Sequence, residues 1–148
     1  MKGSGKLLVI ASILSFAVAV FQAIISLSPP WSLYFGAPAK VVANTTLLYI
    51  SGEITALIFA LFGFYAISGA GNIPKLPLLR TILAAITALY LLRGALFFLQ
   101  LMVIYKLMFS RMIIPIQTIM SSAVSLVIGI LYLLGTIDRW KNLSKKNK

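Results

Sequence analysis

The chain has 148 residues, of which 61% are hydrophobic and only 10% are charged. Soluble domains contain about 25% charged residues, and a soluble domain this short could not remove so much apolar surface from water. These proportions exclude a soluble protein and predict one all-α domain, residues 1–148, whose solvent is the lipid bilayer. The net charge of +11 favours anionic lipid headgroups rather than nucleic acid as the partner.

Two apolar runs in the first half of the chain are predicted to be transmembrane helices. About 20 residues cross the hydrocarbon core, and the run at 7–28 reaches this length before Pro29 and Pro30. Its length, and the lack of an A-x-A cleavage site, favour an uncleaved span over a signal peptide. The second run, 45–69, has Asn44 or Thr45 as its candidate N-cap and ends at Gly69-Ala70-Gly71.

Two further runs follow in the second half, at 77–105 and 113–137, with Pro115 in the first turn of the last one. Backbone groups in lipid must be paired within the chain, so all four runs are expected to be helices. The sequence therefore predicts an integral membrane four-helix bundle.

The distribution of Lys and Arg predicts that both termini are cytoplasmic. With the N-terminus inside, nine basic residues lie on the cytoplasmic side and three lie outside, namely Lys40, Lys106 and Arg111. The segment from Pro29 to Ala43 carries Trp31 and Tyr34 and is expected to lie on the outer surface as an interfacial cap. A basic tail at 138–148 is expected inside, and the side chains expected to contact cytoplasmic headgroups are Lys75, Arg80, Arg139, Lys141 and Lys145.

An acid and a base lie within the predicted spans, Glu53 and Arg93. Such residues usually face a bundle interior or a wet cavity. Glu53 precedes Gly69, and Arg93 follows Pro77, by the same number of residues, so an antiparallel hairpin brings the two to one level and predicts an ion pair. The intramembrane polar cluster expected around this pair consists of Glu53, Arg93, Tyr49, Tyr90, Gln22 and Gln100.

Two functions compete for this cluster. The first is a non-enzymatic accessory, structural or self-assembling subunit, with either a second copy or another membrane protein as its partner. The alternative is a small proton- or cation-coupled transporter or channel centred on Glu53. No catalytic residue, metal site or cofactor is expected, because the chain has no His and no Cys and these supply most general bases, nucleophiles and metal ligands.

The segment from Ser68 to Arg80 has the pattern SGAG…LPLLR, and YLLRG follows at Tyr90 to Gly94. In this pattern the chain resembles a group of small bacterial membrane proteins. The resemblance extends from the end of the second predicted span into the third and covers no other part of the chain. It implies four spans and a bacterial inner (cytoplasmic) membrane, and it implies no particular activity.

Overall fold

The computed structural model describes residues 4–104 and 116–143, which form six α-helices and no β-strand. Four of these helices are long and apolar enough to cross a membrane. The prediction of an all-α protein with four such helices is confirmed, and the chain is a multi-pass membrane protein. In chain order the helices are α1 (Ser4–Ser26), α2 (Pro29–Tyr34), α3 (Ala39–Val42), α4 (Thr45–Ala70), α5 (Leu79–Ile104) and α6 (Ile116–Leu143).

The ends of α4 follow from local chemistry that the sequence indicated. The side chain of Asn44 accepts a hydrogen bond of 3.1 Å from the backbone N–H of Leu47, which satisfies one of the free donors of the first turn. At the other end Gly71 has a φ of +85°, a left-handed conformation that glycine adopts without steric cost. Its N–H donates to the carbonyl of Ser68 at 3.0 Å, so the helix stops there.

The other boundaries differ from the predicted runs. Helix α5 begins at Leu79 rather than 77, because Pro77 belongs to the turn. Helix α6 continues to Leu143, so residues 138–143, predicted as tail, are helical. Contacts hold these last turns: the Arg80 guanidinium lies 3.7 Å from the centre of the Trp140 ring, and Lys75 Nζ donates to the carbonyl of Asn142 at 2.8 Å. The predicted features at Tyr105, Lys106, Arg111, Ile113, Pro115 and Lys145 lie outside the described residues.

The transmembrane helices pack as two pairs. Helix α1 lies along α4, α5 lies along α6, and the pairs join chiefly where α1 meets α6. Small residues allow these close approaches: a Cβ added to Gly94 of α5 would lie 2.6 Å from the Cα of Leu126. The core between the pairs is formed by buried side chains that include Leu8, Leu83, Ile86, Ile128 and Tyr132. Large apolar side chains on the opposite faces are exposed, as expected of surfaces that contact lipid.

The segment 29–43 forms a cap over one end of the bundle, and α2 and α3 lie within it. Ser32 Oγ donates to the carbonyl of Ile25 at 2.8 Å, and Gln117 Nε2 donates to the carbonyl of Tyr34 at 3.0 Å. These bonds fasten the cap to α1 and α6. Trp31 and Tyr34 remain exposed, by 59% and 57%, which fits aromatic side chains at headgroup level.

Candidate functional site

A chain of hydroxyl groups links all four transmembrane helices at the centre of the bundle. Ser15 of α1 lies 3.0 Å from the hydroxyl of Tyr132 on α6 and 3.4 Å from that of Tyr90 on α5. Tyr132 in turn donates to the carbonyl of Phe62 on α4 at 2.8 Å. The rings of Tyr90 and Tyr132 stack with their centres 5.5 Å apart. All three hydroxyl-bearing residues are buried.

The hydrogen positions in this central hydroxyl chain follow from counting donors. Each hydroxyl has one proton. Tyr132 must donate its proton to the carbonyl of Phe62, because a carbonyl oxygen can only accept. Ser15 therefore donates to Tyr132, and Tyr90 donates to Ser15. The order Tyr90 to Ser15 to Tyr132 to Phe62 satisfies every proton, so the chain forms a rigid, fully paired link between the helix pairs.

Glu53 lies on an exposed face of α4. Its Oε1 accepts from Ser26 Oγ of α1 at 3.0 Å, but the same hydroxyl lies 2.7 Å from the carbonyl of Ala23. One proton serves two acceptors, so within the described residues the Glu53 carboxylate receives at most part of one hydrogen bond. Gly52 makes the contact with α1 close, since an added Cβ there would collide with Ser26.

Arg93 lies on an exposed face of α5, and its Nη2 donates to Ser121 Oγ of α6 at 3.3 Å. Ser121 itself donates to the carbonyl of Thr118. A guanidinium has five N–H donors and stays charged, and this one long bond is its whole set of polar contacts within the described residues. The positive charge of Arg93 is thus nearly uncompensated by that part of the chain.

The predicted ion pair between Glu53 and Arg93 is not formed; among the described residues each side chain bonds to a serine on a different helix. The error lies in the rotation of the helices. Counting residues from the loop fixes the height of a side chain but not the direction in which it points. Since α4 packs mainly on α1, and α5 on α6, the polar residues turn towards those neighbours instead of towards each other.

The rest of the predicted cluster is dispersed. Tyr90 belongs to the central hydroxyl chain, and Tyr49 is exposed one turn from Glu53. Gln22 lines a cavity of about 320 Å³ beneath the cap, and the other polar side chains of its wall are Ser26, Ser32, Ser51 and Thr55. Gln100 Oε1 is buried and has no partner among the described residues. The six residues therefore do not form one site.

Four of the five residues predicted to contact headgroups lie at one end of the bundle, opposite the cap, and the fifth, Lys145, lies outside the described residues. We call this the basic end, and it comprises Lys6, Lys75, Arg80, Arg139 and Lys141. The α4–α5 loop and the last turns of α6 meet there through the two contacts at Trp140 and Asn142.

Sequence reasoning missed the role of Tyr132, which is fully buried and bonds to two other helices. The available signal was a tyrosine in the middle of an apolar run, because a buried tyrosine hydroxyl needs a partner.

Comparison with known proteins adds no relative: no family model, no curated protein and no solved structure matches this chain.

Proposed function

We propose that this chain is a non-enzymatic, self-assembling subunit of a bacterial inner membrane, in which Glu53 of one copy pairs with Arg93 of a second copy. The observation that supports this best is the exposure of two opposite charges that form no ion pair among the described residues. The absence of His and Cys from the sequence argues against the usual catalytic groups.

The two charges have matching heights. Glu53 belongs to α4, which ends at Ala70, and Arg93 belongs to α5, which begins at Leu79, on the other side of one short loop. At a rise of 1.5 Å per residue these positions are about 25 Å and about 21 Å from the same end of the bundle. Copies that share one orientation in a membrane therefore present the carboxylate and the guanidinium at nearly one level.

Pairing between copies has a clear energetic reason. A charge at the centre of a membrane helix costs about 2.5–3.5 kcal/mol on insertion scales, and each side chain bonds to only one serine within the described part of the chain. A carboxylate and a guanidinium in contact supply charge-assisted, bidentate hydrogen bonds. The hydrocarbon core of the bilayer offers no comparable partner at this depth, so association relieves both costs at once.

Cysteine cross-linking tests the pairing directly, because the natural chain contains no cysteine. A copy carrying Leu57→Cys, one turn from Glu53, and a differently tagged copy carrying Leu89→Cys, one turn from Arg93, are co-expressed and oxidised in membranes, so that both charges stay in place. We expect a mixed dimer. Val124→Cys, exposed on α6, replaces Leu89→Cys in the matched control and should give little product. Equal cross-linking of both combinations contradicts a specific contact.

Charge reversal provides the second test. Glu53→Arg and Arg93→Glu should each abolish the oligomer measured by light scattering in mild detergent, and the double reversal should restore it. Glu53→Gln should also weaken assembly but leave the isolated fold intact, because a carboxamide can donate to Ser26 while Ser26 donates to Ala23. A wild-type protein that stays monomeric at every concentration refutes the proposal.

A proton- or cation-coupled transporter is the second candidate, and the cavity beneath the cap favours it, because this cavity reaches the Ser26 that bonds to Glu53. Against it, Ser51 and Thr55 already donate to carbonyls of their own helix. Proteoliposomes containing a pH-sensitive dye distinguish the two functions. Proton flux in the wild type that disappears in Glu53→Gln supports transport, and flux equal to that of empty vesicles opposes it.

A further inference from the structure

A second cavity, of about 230 Å³, lies at the basic end of the molecule, away from Glu53. One side is formed by the end of α4 and the loop after it, and the other by the last turn of α6. The ionisable side chains that line it are two cations, Lys75 and Arg139. Cations on both walls of one cavity are placed to contact the same anion.

Arg139 is held in this cavity by close packing. An added Cβ would lie 2.8 Å from its Nη2 at Gly71 and 3.3 Å from its Nη1 at Gly5, so the two glycines make room for the guanidinium. Its Nε is buried and has no hydrogen-bond partner in the described part of the chain. The neighbouring Asp138 is exposed and makes no ion pair with it within the same residues.

Lys75 and the loop that carries it are also fixed. Lys75 Nζ donates to the carbonyl of Asn142 at 2.8 Å, which holds the ammonium at the rim of the cavity. The loop is closed by Ser68, whose hydroxyl donates to the carbonyl of Pro74 at 2.9 Å and accepts from the N–H of Leu76 at 3.1 Å. The two cations are therefore presented by ordered backbone on both sides.

We propose that Lys75 and Arg139 bind a phosphate-class oxyanion in this cavity, either the headgroup phosphate of an anionic lipid or inorganic phosphate. A guanidinium presents a fork of N–H donors that matches two phosphate oxygens, and a lysine ammonium adds a point charge on a third. The site lies at the helix ends: α4 has 26 residues, about 39 Å at 1.5 Å per residue, and thus reaches from one headgroup layer to the other. The cavity has several times the volume of a water molecule, which occupies about 30 Å³.

The test uses the full-length protein and two separate probes. In the first, protein from nanodiscs of phosphatidylcholine with phosphatidylglycerol is released into mild detergent, and the retained phosphatidylglycerol is measured by native mass spectrometry. In the second, inorganic phosphate is titrated against chloride at equal ionic strength, and thermal unfolding is followed. Retention of the lipid alone identifies the headgroup as the ligand, and stabilisation by phosphate alone identifies the free anion.

The variants are Arg139→Gln and Lys75→Gln, with Lys141→Gln as the matched control, because Lys141 is exposed on the same helix and does not line the cavity. Each of the first two should weaken binding about tenfold or more, as expected for the loss of a charge-assisted hydrogen bond, while the control binds like the wild type. Arg139→Lys keeps the charge without the fork and should bind at an intermediate level. Helical content and thermal unfolding without ligand show whether each variant folds. If Arg139→Gln does not fold, the comparison rests on Lys75→Gln, because Lys75 lies in an exposed loop. Binding of both probes that is equal in the wild type and both pocket variants overturns the proposal.

Discussion

Replacing Tyr132 by Phe tests the donor order of the central hydroxyl chain. The substitution keeps the ring and its stacking on Tyr90 but removes the proton that goes to Phe62 and the oxygen that accepts from Ser15. Tyr90→Phe is the matched comparison. It removes only the bond from the Tyr90 hydroxyl to Ser15, which at 3.4 Å is the longest of the three hydrogen bonds. The Ser15 hydroxyl still donates to Tyr132.

The two substitutions should therefore differ in cost. Hydrogen bonds between membrane helices contribute about 0.6 kcal/mol on average and up to about 1.7, and a buried donor left unpaired costs about 1–3 kcal/mol. Tyr132→Phe loses two bonds of 2.8 Å and 3.0 Å and strands the Ser15 hydroxyl, so about 1–2 kcal/mol is expected. Tyr90→Phe should cost about 0.5 kcal/mol, since it loses one long bond and strands no donor.

Equilibrium unfolding in mixed micelles, with helical content as the signal, measures both free energies of unfolding. Ser15→Ala provides the control: in its background the further change Tyr132→Phe should cost less, because no serine proton remains to be stranded. The resulting cycle gives the coupling energy between the two sites. If Tyr90→Phe costs as much as Tyr132→Phe, or if the two sites prove independent, the donor order is wrong.

Three further predictions concern the packing and the helix ends. Gly94→Ala should destabilise the α5–α6 pair by about 1–3 kcal/mol, because the new methyl meets the backbone of Leu126; an unchanged free energy of unfolding would contradict that contact. Asn44→Ala should cost about 1 kcal/mol and fray the start of α4, measured by amide hydrogen exchange, whereas Asn44→Asp should keep the cap. Trp140→Leu should lower the free energy of unfolding by about 0.5–1 kcal/mol, because it removes the ring on which the Arg80 guanidinium lies. In that background Arg80→Gln should lower it little further; additive losses would show that the two side chains do not interact.

The number and type of the transmembrane helices could be predicted from the sequence, because length and hydropathy follow directly from the thickness and polarity of a bilayer. The ends of α4 were equally accessible, since Asn44 and Gly71 act through local chemistry. The orientation of the termini stays a prediction: an even number of crossings puts both ends on one side, and the charge count favours the cytoplasm.

The arrangement of side chains around each helix was less accessible. Glu53 and Arg93 were predicted at matching heights, and the heights agree, but the direction of each side chain depends on which helices pair. That pairing is decided by contacts between residues far apart in sequence, such as Gly52 with Ser26 and Gly94 with Leu126. Each of the four helices carries small residues that would permit close approach, such as Ser15, Gly52, Gly94 and Gly129, so these residues alone do not select one pairing.

The structure separates the groups that hold one copy together from the groups available to a second copy. The central hydroxyl chain is buried, satisfies all its protons and joins the two helix pairs, so it has no proton left to donate to another partner and lies out of a second copy's reach. Glu53 and Arg93 are exposed, and each has one serine hydroxyl that also donates to its own helix. Neutralising these charges therefore removes little from the stability of the isolated chain but removes the main electrostatic reason to associate. If the chain assembles as proposed, stability and assembly should respond to different substitutions, because the buried hydroxyl groups hold one copy together and the exposed charges would pair between copies.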